Sequence, residues 1–420
     1  MTTRRQFIRR SAGALAGLSV IGRLRGTQTQ SRMTSETYLR SILYRPEEVE
    51  TWLKGEAFPF ARYSSEFGWL LPNGEFRDGM DDSISLYTYE PADGPRLRVN
   101  YADQPCRVNT YGDSFTQCHQ VSDGETWQEV LAAHLQEPIR NFGIGGWSVY
   151  QAYLRMLKEE ARTPADVIIF NIYDDDHFRN LDSWRNIRSN KHPRFIEPTL
   201  PHLVVNPAEE TFVEMPNPCP TEESVARLCD FDWVYDRFKD DFALGIELAH
   251  LNASAANPRE SYKELRDLAT THGIRTRSDD YPTLEKAADA LHQEAALFAT
   301  TRLVEMIDDF AEKNGKRLIY VLSYPANRMA EGVESGSRWD QTFVDFLNKR
   351  KHPMIDLHEL HRNDHATNYK IGFREYLKQF SVGHYNPRGN FFCAYGIKDA
   401  LVQLLDPSAA AYRDDPNILE

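Results

Sequence analysis

A serine becomes a nucleophile when a base can take its proton, and two stretches of this sequence offer such a pair. The first is Val108, Asn109, Thr110, Tyr111, followed by Gly112, Asp113 and Ser114 and then by a helical pattern. A serine just past the C-terminal end of a parallel strand sits where open α/β sheets bind ligands, at a helix N-terminus that favours a developing anion. Gly112 permits the tight turn, and the backbone N–H of Ser114 can face an oxyanion. The second stretch is Ser381, Val382, Gly383, His384, Tyr385, Asn386, Pro387, Arg388, Gly389, Asn390, in which His384 is the candidate base. Alone, Gly-Asp-Ser is more often a surface turn and a single histidine more often structural. Together they fit two-step acyl transfer, in which Ser114 attacks an ester carbonyl and water then releases the acyl group.

Such a pair needs a scaffold that brings distant segments to one edge. Short apolar runs at 106–111, 139–142, 167–173, 317–323 and 354–357 alternate with helical stretches at 126–135, 149–160 and 284–314. That alternation predicts a five-stranded parallel sheet covered by helices, a doubly wound α/β domain over about 105–410. Ahead of it, turn formers and aromatics across 38–104 predict a β-rich lead-in. The interval from the third run to the fourth is too long for a crossover and predicts a mainly helical insertion over about 178–300, with helices at 221–251 and 262–271.

The order of these blocks resembles the SGNH (GDSL-like) hydrolase family. The resemblance implies a flavodoxin-like three-layer α/β/α fold and four blocks that supply Ser, Gly, Asn and His, here Ser114 and His384 at the two ends. The second block is similar to Asn141, Phe142, Gly143, Ile144, Gly145, Gly146, Trp147, Ser148, which makes Gly146 the oxyanion glycine. Aligning strand ends places Asp174 where the family carries its oxyanion-hole Asn, and a carboxylate donates only when protonated. Asn171, His177 and Arg179 are the alternative donors. The family's acid two or three residues before the histidine is replaced by Val382 and Ser381. The imidazole's partner is therefore left open between a main-chain carbonyl, a carboxylate from elsewhere such as Asp356, and the auxiliary candidates Asp175 and His177. No cofactor is implied.

The clusters Asp174 to His177 and His358 to His365 contain metal-ligand types, but the His-x-x-His spacing of His358 and His361 is not the i, i+4 arrangement of a helical zinc motif and charged loops are usually just solvated, so no metal is expected. The five cysteines lack a Cys-x-x-Cys, and Cys219 with Cys229 is the nearest pair able to close a small loop in an exported chain. A net charge of -13 argues against nucleic acid as a partner.

The N-terminus carries Arg4, Arg5, Phe7 and Ile8 and then a short apolar run to Gly22, the pattern of a twin-arginine export signal over 1–26, with a linker over 27–37. The export machinery is then a partner and the location periplasmic or secreted. No Ala-x-Ala site follows, so retention at the membrane by an uncleaved signal is the alternative. Tyr173, Trp184, Trp233 and Tyr235 in and near the insertion suggest stacking on sugars, hence an acetyl ester of a polysaccharide or other small ester as substrate. The rival readings are an O-acyltransferase or lipid esterase using the same serine, and a catalytically silent carbohydrate-binding protein.

Overall fold

The computed structural model describes residues 32–55, 61–191, 196–254 and 258–413. The twin-arginine segment lies outside them. At the centre is one parallel sheet of β1 (Val108–Tyr111), β2 (Ile139–Asn141), β3 (Val167–Tyr173), β4 (Arg317–Ser323) and β5 (Met354–Asp356), in the spatial order β5-β4-β3-β1-β2. Val108 pairs with Ile139 on one side and Val167 on the other, and Arg317 pairs with Val167. The chain leaves β1 toward one edge and returns past it to β3. The strand order therefore reverses between β1 and β3, the position at which such sheets open a crevice for ligands.

Strand side chains alternate between two helical layers, as a sheet buried on both faces requires. Val167, Ile169, Ile319 and Val321 pack against Trp127, Leu131, Ala394, Ile397 and Leu401. These come from α2 (Trp127–Leu135) and α6 (Pro387–Leu404), which follow the short α1 (Ser114–Gln117) and close the domain. Ile168, Phe170, Ile172, Leu318, Tyr320 and Leu322 face the other way, onto α3 (Val149–Arg162) and the 30-residue α4 (Leu284–Lys313). Another helix, α5 (Leu357–Asn368), follows β5 directly. No helix among the described residues is long and apolar enough to cross a membrane.

The lead-in holds the expected strands, in the hairpins Arg62–Ser64 with Gly68–Leu70 and Gly74–Arg77 with Ile84–Tyr87. Two helices, Ser35–Ser41 and Pro46–Leu53, precede them. The signals for these were local: Thr34 caps the first by accepting the Thr37 N–H, and Pro46 occupies the first turn of the second. Their apolar faces, including Tyr38, Leu39, Ile42, Val49 and Trp52, pack on Val225, Leu228, Val234, Phe238 and Leu244 of the insertion. The insertion contains a hairpin, His202–Asn206 with Thr211–Met215, beside its helices. The continuous helix expected over 221–251 is broken, because the Asp230 and Asp241 side chains each cap a new helix, at Phe231–Phe238 and Phe242–Asn252. All five cysteines are free thiols, so the 219–229 bridge is not formed.

Among the ties between the lead-in and the sheet domain, one buried side chain makes several at once. The Arg96 guanidinium is 1% exposed and donates to the Asp123 carboxylate at 2.7 Å and to the carbonyls of Gln117, Cys118, Val121 and Leu86 at 2.6 to 3.0 Å. Removing one partner of a buried pair leaves the other charge and the carbonyls unsatisfied. Arg96→Met is therefore expected to lose about 3–5 kcal/mol of unfolding free energy, read from the midpoint of a urea transition. A loss below about 1 kcal/mol would show that the clasp is dispensable.

Candidate active site

The turn after β1 is built by close approach. Gly112 lies so near β3 that a β-carbon there would stand 2.7 Å from the Asn171 carbonyl oxygen, which excludes any side chain. Asp113 then caps α1, its Oδ1 accepting the Phe115 N–H at 2.9 Å, and Ser114 becomes the first helical residue. The serine is 7% exposed. Its Oγ lies 2.8 Å from His384 Nε2 and 3.1 Å from Asp113 Oδ2.

His384 reaches this point from a tight loop before α6. The Val382 N–H donates to the His384 carbonyl at 3.0 Å, the Asn386 N–H to Phe380 O at 3.0 Å, and the Asn386 side chain caps α6. The Phe115 ring packs 5.1 Å from the imidazole and from the Tyr385 ring. On its other side the imidazole meets His119, with ring centroids 4.9 Å apart. Its Nδ1 lies 3.3 Å from Gln120 Oε1, the oxygen that also accepts the His384 backbone N–H at 2.7 Å.

The loop after β2 is drawn against the same turn. The Ile144 N–H donates to Gly112 O at 3.2 Å, and Arg179 Nη1 bridges the Trp147 carbonyl at 3.1 Å and Asp113 Oδ2 at 3.3 Å. Gly146 sits in this loop with φ of +80°, a conformation that glycine adopts freely, and its N–H has no acceptor among the described residues.

Of the donors left open by the sequence, Arg179 reaches Asp113 Oδ2 at 3.3 Å, the oxygen that lies 3.1 Å from Ser114 Oγ. Asn171 lies inside the sheet, where its Oδ1 accepts the Ser323 hydroxyl at 3.0 Å. His177 Nδ1 is 2.9 Å from Thr300 Oγ1, in a pocket walled by Trp339 and Phe343, and burial pushes its pKa down to about 4. Asp174 acts as an acceptor, taking the Trp339 indole N–H at 2.7 Å with Arg328 3.5 Å away. Burial raises its carboxyl to about 6, and these two partners offset part of that rise. In this arrangement Asp174 turns its oxygens to Trp339 and Arg328.

The carboxylates considered as the histidine's partner go elsewhere too. Asp356 caps α5 through the His358 and Glu359 N–H groups and pairs with Arg338 at 2.5 Å. Asp175 is shared by Arg179 and Arg188 at 2.8 Å each, and these two cations, against burial, hold it well below the usual carboxylate range. Of the clustered histidines, His358 Nε2 lies 3.2 Å from Met329 O and His361 Nδ1 3.0 Å from Tyr376 OH. No group of three possible metal ligands is assembled among the described residues.

No family model and no curated protein matches this sequence. Among solved structures, a protein assigned as lipolytic in the G-D-S-L family, from Desulfitobacterium hafniense DCB-2, aligns with a TM-score of 0.28 and 10% identity over 72% of this chain and all of that one. What the site can do follows from its own geometry.

Electrostatics favour a neutral imidazole. Burial, then the neighbouring His119 and Arg179, lower the His384 pKa well below 6.5. Burial likewise lowers His119 to about 4, although Asp78 works in the opposite direction. For Arg179, the carboxylates of Asp175, Asp176 and Asp113 outweigh burial and keep the guanidinium charged. The residues that sequence reasoning missed are Gln120, His119, Tyr87 and Asp78. Their only linear signal was the place of His119 and Gln120 shortly after Ser114.

A base must be unprotonated, so activity rises as pH passes upward through the His384 pKa. The acid limb of kcat/KM is expected well below pH 6.5. An acid limb at or above 6.5 in a pH profile of the free enzyme would contradict this. Arg179→Lys, which keeps the charge and loses the planar fork, is expected to lower kcat by about 10²-fold with KM little changed, measured in steady-state kinetics.

Proposed function

We propose that this chain is a serine ester hydrolase in which Ser114 is the nucleophile and His384 its base. The observation that carries the proposal is the 2.8 Å contact between Ser114 Oγ and His384 Nε2, across 270 positions of chain, at the reversal point of a parallel sheet. Nε2 takes the hydroxyl proton as Oγ bonds to the ester carbonyl carbon. The resulting oxyanion is held by the N–H groups of Ser114 and Gly146 and by the Arg179 charge. The proton then passes to the departing alcohol. Water, deprotonated by the same imidazole, releases the carboxylic acid.

For the substrate we propose an acyl ester, acetyl in the simplest case, carried by a carbohydrate. Of the four aromatics that suggested a sugar, Tyr173 lies beside the site, half-buried and stacked on Phe115, whose ring packs on His384. Trp184 is fully buried between Tyr44 and Phe238 and is core, while Trp233 and Tyr235 are half-buried against the same cluster. The lead-in also forms, with Gln117 and His119, a small open hollow with room for about one water (about 10 Å³), walled by Leu71, Pro72, Phe76, Tyr87 and Tyr89. His119 connects it to His384, and the buried Gln117 Oε1 has no hydrogen-bond partner.

Wild type is expected to release acetate from an acetylated glycan and to be labelled covalently by a fluorophosphonate. Ser114→Ala is expected to do neither while unfolding at a similar temperature. Retained turnover in Ser114→Ala would overturn the nucleophile assignment. Transfer of acetate to a sugar hydroxyl in place of water would move the reading to an acyltransferase, and glycan binding without turnover would leave a binding protein.

A further inference from the structure

We infer that a neutral side-chain amide, Gln120, replaces the acid of the usual triad and sets the tautomer of His384. The inference rests on the Ser114–His384 reading and adds the residue that positions the base.

The amide is oriented by the hydrogen bonds at both of its ends. Gln120 Nε2 donates to the main-chain carbonyl of Asp78 at 2.8 Å, and a carbonyl can only accept. The nitrogen is thereby fixed on the Asp78 side and Oε1 on the histidine side. There Oε1 accepts the His384 backbone N–H at 2.7 Å and faces Nδ1 at 3.3 Å. An oxygen acceptor opposite Nδ1 favours the tautomer with its proton on Nδ1, which leaves the Nε2 lone pair toward the Ser114 hydroxyl 2.8 Å away.

The backbone holds Gln120 in an uncommon state to achieve this. Its φ is +74°, in the left-handed region that favours glycine. A long side chain kept there, 6% exposed, implies a use for the direction in which it points. Its N–H donates to Tyr87 OH at 2.6 Å, and that hydroxyl donates to Asp78 Oδ2 at 2.9 Å. The main-chain and side-chain anchors of Gln120 thus both come from the second hairpin of the lead-in and the turn inside it. The hairpin is part of the apparatus that aims the base.

The charged and titratable groups around His384 are His119 on the same loop as Gln120, Arg179 from the segment after β3, and Asp113 beside Ser114. Asp78, from the lead-in, lies 3.5 Å from His119 Nε2 through its carboxylate, while its carbonyl serves Gln120. Among the described residues no carboxylate is in hydrogen-bond contact with the imidazole, which agrees with the low acid limb expected above.

Two variants and one spectroscopic measurement test this. Gln120→Glu keeps the shape and adds a negative charge beside Nδ1, which stabilises the imidazolium. The acid limb of kcat/KM is expected to move up by about one pH unit or more, with kcat within about tenfold of wild type. Gln120→Leu removes the acceptor and is expected to lower kcat about 10²-fold at unchanged KM, with turnover restored in Gln120→Glu. Imidazole 15N NMR of the full chain bearing Ser114→Ala reads the tautomer without any turnover, and the Nδ1–H form is expected. An Nε2–H form, an unmoved acid limb in Gln120→Glu, or full kcat in Gln120→Leu would each overturn the role of Gln120. Those results leave the serine–histidine reading intact as long as wild type still reacts with the fluorophosphonate. Loss of that labelling is the separate failure of the underlying reading.

Discussion

A single buried guanidinium joins the parts of this protein that would act together. Arg96 holds the carbonyls of Gln117, Cys118 and Val121, so it fixes the loop that leaves the Ser114 helix. A planar cation with five donors can satisfy several carbonyls and one carboxylate together, which a lysine cannot. That loop carries Cys118 and Gln120, both with positive φ, and His119 between them. Without an interior anchor such a conformation would relax toward ordinary backbone. The same guanidinium takes the Leu86 carbonyl of the lead-in hairpin. One side chain therefore sets the distance between the sheet domain and the strands that orient the proposed base.

A second group of charges works beside it. Arg179 is surrounded by Asp113, Asp175 and Asp176, and Asp113 Oδ2 lies 3.1 Å from Ser114 Oγ. A cation so compensated stays in place and stays charged. It also disfavours protonation of His384. In an ordinary triad a carboxylate partly opposes that effect. Here the imidazole is partnered by an amide, so the site gains a base that remains neutral into acid conditions and gives up the stabilisation of the imidazolium that a carboxylate supplies.

The long insertion has a simpler role than its aromatic content suggested. Its helices bury Trp184, Val234 and Phe238 against the two N-terminal helices, forming a second core beside the sheet domain. The hollow next to the proposed base is lined from the lead-in and from the loop after Ser114.

The sequence by itself determined the sheet and the two ends of the site. Alternating apolar runs and helical periods locate β1 to β5 within a residue or two, because a strand buried on both faces has few polar alternatives. Gly112 and Ser114, and His384 before its capped helix, are legible because a strand-to-helix turn and a helix cap are local chemistry. The short helices at Ser35–Ser41 and Pro46–Leu53 escaped because only a cap and a proline announce them, and their apolar faces make sense only against an insertion nearly two hundred residues away. Which group accompanies His384 was decided by tertiary structure alone. Asp356 and Asp175 were plausible along the chain, but Arg338 pairs with the first and Arg179 and Arg188 with the second. Gln120 carries no motif, and only the fold of the lead-in turns its amide oxygen toward the imidazole.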